Sequence, residues 1–151
     1  MKLTTSIILG GLLCSTMFAC KVKEKESLPI IGTWELVSAE TIEKDTSFST
    51  FNSKVKMIKI INPSHFAFLS HPIAKQDSAI TFIAGGGEYT LVDSVYTENL
   101  EYFVDKNWEN NKFSFVVKIQ NDTLMQKGVE KLEKLGIDRI IVEKYIRVKI
   151  K

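Results

Sequence analysis

Hydrophobic and polar positions follow two regimes along this chain. Residues 3–19 carry no charge and no alternation, whereas from Ile31 onward most segments alternate with a period near two. Period two is the mark of strands with one buried face. Residues 31–39 open such a strand. Residues 53–61 form another, with Lys54, Lys56 and Lys59 expected to point mostly outward. Asn62-Pro63-Ser64 turns the chain into a strand over 65–70, and residues 79–84 read as a fourth. Gly85-Gly86-Gly87 then interrupts the pattern with a bulge or sharp bend, before strands over 88–92 and 95–103 joined at Asp93-Ser94. Strands over 112–120 and 123–128 flank Asn121-Asp122, a good hairpin signal. Residues 130–135 suit a short helix ended by Gly136, and 139–148 form the last strand.

Eight or nine strands joined by short links predict an all-β fold. An antiparallel meander of that count closes on itself because closure removes the exposed edges. The expected architecture is an up-and-down β-barrel with one short helix before the last strand. Its interior is wide enough for packed side chains or one small ligand.

Strand parity sorts the faces. Trp34 and Leu36 fall together, as do Phe113, Phe115, Val117 and Ile119; so do Tyr96, Glu98, Leu100 and Tyr102, and Ile141, Glu143, Tyr145 and Arg147. With aromatic-rich faces inward, Glu98 and Glu143 enter the barrel with Arg147. A carboxylate there must find a partner or take up a proton.

Charge and cysteines place the domain. The formal net charge is +2 with both signs interspersed, which argues against nucleic acid as a partner. Met1 and Lys2 precede the uncharged run, which is shorter than the roughly 20 apolar residues of a spanning helix, so residues 1–19 read as a secretory signal. Both cysteines, Cys14 and Cys20, lie at its end. Met17-Phe18-Ala19-Cys20 resembles the lipobox of bacterial lipoproteins, which implies acylation of Cys20 and loss of Cys14 with the signal. The mature chain then has no disulfide and no thiol chemistry. Residues 20–29, with lysines and glutamates alternating, are a charged tether, and 30–151 are the barrel domain. The expected location is the cell envelope, as an outer-membrane lipoprotein facing the periplasm and held to the membrane by its N-terminal lipid.

Gly32-Thr33-Trp34 resembles the Gly-x-Trp signature of lipocalins, and residues 143–147 resemble their closing strand, which ends in a basic residue. The stretch 84–102, with its glycine run, Tyr89, Tyr96 and Glu98, is similar to the central motif of an uncharacterised family of small lipocalin-like (calycin) bacterial proteins, which also carry a pair like His65-Phe66. The resemblance implies a lipocalin-like barrel in which Arg147 lies over Trp34 and plugs one end.

Two readings of Glu98 remain open. Either Glu98 with Tyr89, Tyr96 and Tyr102 forms the polar floor of a ligand cavity walled by aromatics such as Phe115, or it bonds Arg147 or a tyrosine and sets the register. His65 at the barrel mouth is a further ligand-contact candidate. His65 and His71 share a face at opposite strand ends, too far apart for a common metal, and no metal or cofactor is expected. The glycine run lacks the Lys-Ser/Thr and helix of a phosphate loop, and no Gly-x-Ser-x-Gly elbow occurs, so catalysis is not expected. The expected work is binding of a small apolar or amphipathic ligand. The alternative is a structural or interaction module with a filled barrel.

Overall fold

The computed structural model describes residues 29–74 and 81–149. The signal segment, Cys20 and nearly all of the tether lie outside the described residues, as do Ala79 and Ile80 of the expected fourth strand. Ten strands run in chain order: β1 (Gly32–Glu43), β2 (Thr46–Ser49), β3 (Val55–Ile61), β4 (His65–Pro72), β5 (Ile83–Val92), β6 (Val95–Leu100), β7 (Tyr102–Phe103), β8 (Asn111–Gln120), β9 (Thr123–Leu132) and β10 (Ile137–Arg147). Each main strand pairs antiparallel with its neighbours in sequence, and β10 returns to β1 from Trp34↔Arg147 to Ile42↔Ile140. The result is a closed, eight-stranded, up-and-down barrel of lipocalin-like form, made by β1, β3, β4, β5, β6, β8, β9 and β10. The short strands are additions: β2 folds back on the end of β1, and β7 continues along β5 after β6.

Turn chemistry explains two of the hairpins. Asn121 and Asp122 take φ of 49° and 57°, the paired left-handed geometry that matches strand twist. Lys44 and Asp45 do the same at 46° and 67°, making a β1–β2 hairpin that the sequence pattern did not announce, since neither Gly nor Asn marks it. Only one turn of 3₁₀-helix, Glu133–Leu135, stands where a helix over 130–135 was expected. β9 extends to Leu132 because Glu130, Lys131 and Leu132 pair with β10, leaving Gly136 at φ 64° to end the turn.

The glycine run does not break the sheet. Residues 85–87 lie inside one continuous β5, buried, with no left-handed backbone. They are small because neighbours press in. A Cβ on Gly85 would sit 2.5 Å from the Phe68 ring, one on Gly86 2.5 Å from the Phe66 carbonyl oxygen, and one on Gly87 would collide with the Asn99 carbonyl. Across from Gly87 the irregularity lies in the partner strand. Tyr89 pairs with Glu98 but Gly86 with Tyr102, so one extra residue bulges between them. That bulge reverses the parity: Phe103 turns inward, and Tyr102 is 67% exposed rather than facing inward with Glu98.

A second bulge on β1, between Leu36 and Ser38, passes the inward face from Trp34 and Leu36 to Ala39 and Thr41. The core is densest at the end where β1 begins. There Ile30, Trp34, Ile61, Phe66, Tyr96, Val117, Leu124 and Tyr145 are all buried. Each large apolar side chain so covered contributes roughly 1.5–3 kcal/mol relative to exposure.

Candidate functional site

The closed end is a stack of backbone and ring. The Arg147 guanidinium carbon lies 4.0 Å from the centre of the Trp34 ring. Its nitrogens donate to the carbonyls of Ile31 at 2.8 Å and Pro29 at 2.6 Å, while the Trp34 indole nitrogen donates to the carbonyl of Ile30 at 2.8 Å. Gly32 is required here on two counts. Its φ is 146°, and a Cβ would meet the Arg147 guanidinium at 2.5 Å. A cation over an indole contributes about 0.5–2 kcal/mol, and its hydrogen bonds also satisfy carbonyls at the chain's entry into the barrel.

Above this plug the lumen holds a polar network instead of an apolar filling. Lys59 is at its centre, only 3% exposed. This overturns the expectation that Lys59 points outward with Lys54 and Lys56: on β3 it shares parity with Met57 and Ile61, the inward residues, while Lys56 stays outside. Its ammonium donates to Glu98 Oε1 at 2.7 Å and Gln126 Oε1 at 3.0 Å. It also lies 5.3–5.9 Å from the ring centres of Tyr145, Tyr96 and Phe115. Glu98 therefore pairs with Lys59 and not with Arg147, which is engaged at the closed end.

The network continues through Gln126, whose Nε2 donates to Glu143 Oε2 at 2.8 Å; the Tyr145 hydroxyl donates to the same oxygen at 2.7 Å. Burial raises the pKa of Glu143, outweighing the opposing pull of Lys59 and the Tyr145 hydrogen bond, and Glu98 and Glu130 add to the rise. Burial, then Glu143, pushes the Tyr145 hydroxyl well above its ordinary value. Burial, then Glu98, does so for Tyr96, whose buried hydroxyl meets no partner at full hydrogen-bond geometry among the described residues.

Toward the open end the inward-facing residues are less completely covered. Leu36, Met57, Phe68, Ile141 and Glu143 face inward by parity yet all keep accessible surface. A cavity of about 210 Å³ opens there, lined by Leu36, Val55, Met57 and Ser70 from the inner wall and by Thr50, Phe51 and Asn52 at the rim. On the other side the crossing after β7 sends Trp108 over the mouth. Its ring lies 6.1 Å from Phe103, 5.9 Å from Phe113 and 5.9 Å from the Arg139 guanidinium. Arg139 is itself tied to Glu130, its partner across β9 and β10, at 2.7 Å.

Of the candidates read from sequence, Tyr96, Glu98 and Phe115 meet around Lys59. Tyr89 joins them at the edge, its ring 5.1 Å from Tyr96 and its hydroxyl donating to the Asn62 carbonyl at 2.8 Å. His65 does not reach the mouth. It begins β4 beside the closed end and is exposed, bonded to Ser64, because inward parity on that strand belongs to Phe66 and Phe68. Tyr102 lies outside for the reason given above. Lys59, Gln126, Glu130, Arg139 and Trp108 were missed; strict parity from Ile61 would have found Lys59. Among the described residues, no group of three or more His, Cys, Asp or Glu is placed to hold a metal ion. No family model and no curated protein matches the chain.

Proposed function

We propose that this chain is an envelope lipoprotein, acylated at Cys20, whose lipocalin-like barrel binds a small amphipathic molecule without catalysis. The observation that carries this reading is the contrast within the lumen. One half is filled by buried aromatic and aliphatic side chains around a buried ion pair, while the other keeps partly accessible apolar residues and a cavity of about 210 Å³. Ligand pockets have this make-up, mostly apolar with a few convergent polar groups. The lipobox-like stretch supplies the anchor, since several acyl chains at about 0.8 kcal/mol per buried methylene hold a protein on a bilayer. The chain enters the barrel at the closed end, where Arg147 bonds Pro29 and Ile31.

A second reading, an interaction module, draws support from the outer face. Val92, Val95 and Val116 are neighbours across β5, β6 and β8 and are 44–67% exposed. Native mass spectrometry of the protein taken from its own envelope separates the two. A co-purifying small molecule is expected for the binding reading; a bare barrel bound to another polypeptide would replace it with the second. Cys20→Ser should move the protein from the membrane fraction to the soluble one, and continued membrane association would count against acylation at that residue.

A further inference from the structure

The inward-facing charges do not balance. Lys59 is paired with Glu98 at 2.7 Å, and Arg139 with Glu130 at 2.7 Å. Glu143 is left over, with no cation bonded to it among the described residues. Its Oε2 already accepts from Gln126 and Tyr145, and Oε1 has no hydrogen-bond partner among the described residues. The residue faces inward, in phase with buried Tyr145 and bonded to buried Gln126, and it keeps some accessible surface. Its partner across β1 and β10 is Ala39; the next inward residue of β1, Leu36, pairs with Tyr145 beyond the bulge and lines the open-end cavity. One wall residue of that cavity thus lies diagonally across from a carboxylate whose Oε1 carries no hydrogen bond among the described residues.

We infer that the lumen is selective for a cationic amphiphile, an apolar chain bearing a primary ammonium, whose head group donates to Glu143 Oε1. This rests on the ligand-binding reading above and names the chemistry of the same site. The central ion pair of the network supports it. Lys59 is neutralised by Glu98, so the positive charge nearest to Glu143 is already spent, and Gln126 and Tyr145 hold Oε2 so that the other oxygen is presented in a fixed direction. A carboxylic acid head would instead bring a second carboxyl beside Glu143, Glu98 and Glu130, with no free cation to receive it.

The proton balance is simple. In the empty lumen burial favours the protonated Glu143 carboxyl, with the proton on the unbonded oxygen; the arriving ammonium takes its place and the proton leaves to solvent. The charged and titratable groups acting on Glu143 are Lys59 on β3, Glu98 on β6, Glu130 on β9 and Tyr145 on β10, with Gln126 the uncharged link. Rising pH should therefore tighten amine binding as Glu143 ionises, until the amine itself loses its proton near pH 10 or so.

The test uses the purified chain and three probes of equal length, dodecylamine, dodecanol and dodecanoic acid, followed by tryptophan fluorescence, with Trp108 at the mouth as reporter. Dodecylamine should bind roughly tenfold or more tighter than the other two, the effect of one sheltered charge-assisted hydrogen bond. Glu143→Gln should abolish that preference while leaving dodecanol binding in place. The unaltered protein gives an independent arm: amine affinity should rise as pH increases above the ordinary carboxyl range while alcohol affinity stays level. Equal binding of all three, or tightest binding of the acid, would overturn the head-group inference and leave the lumen reading standing. Binding of none would remove both.

Discussion

Lys59 shows how much a single residue decides here. A lysine ammonium inside a barrel is tolerated because three groups receive it: the Glu98 carboxylate, the Gln126 carbonyl and a surround of aromatic faces. Removing one partner leaves the other charge uncompensated. Lys59→Ala should cost about 3–5 kcal/mol in urea denaturation, whereas the double change Lys59→Met with Glu98→Leu should cost less than Lys59→Ala alone. A double change at least as harmful as the single one would show that the pair is not what sustains this layer. Glu143 gives the pH counterpart. Its folded pKa is raised from 4.5, so between that value and the folded one the native state holds a proton that the unfolded chain has released. Stability from this group is complete at low pH and is lost as pH rises through the folded pKa. Glu143→Gln should flatten that decline in melting temperature; an unchanged pH profile would mean the carboxyl is ionised throughout.

At the scale of elements, small deviations from regular pairing decide which side chains meet. The bulge opposite Gly87 puts Phe103 rather than Tyr102 in the core, and the bulge after Leu36 brings Ala39 beside Glu143. Gly87 is the tight point, pressed against the Asn99 carbonyl. Gly87→Ala should cost about 1–3 kcal/mol, the range for forcing a methyl into a packed site, and more if the bulge must move. A variant as stable as the parent by thermal melting would show that the bulge can shift freely. Alternation exposed most strands, and Asn121-Asp122 exposed its hairpin. A one-residue insertion leaves no trace in hydrophobic period, so the parity reversal at Tyr102 could not be read in advance.

For the molecule as a whole, closure of β10 on β1 divides the barrel into a stoppered half and an open half. The stopper is one unit: Trp34, Arg147, Gly32 and the carbonyls of residues 29–31. Trp34→Ala should cost about 3–5 kcal/mol, because it removes a fully buried ring and also strands the guanidinium above it. An unaltered melting curve would deny the stopper any part in stability. Because the cost falls at the end remote from the cavity, any folded fraction of this variant should still show the ligand preference set at Glu143.

Local information determined the class of fold: period-two segments, short polar links and a count of strands sufficient for closure are properties of the chain itself. The Gly32–Trp34 signature and a basic residue on the last strand likewise pointed to the plug through their resemblance to known barrels. What only the folded barrel decided is which polar groups share the interior. Lys59, Glu98, Gln126 and Glu143 come from four different strands, and their meeting depends on how those strands are staggered around the cylinder. Period-two patterning says which way a side chain points; register across a closed sheet says what it finds there.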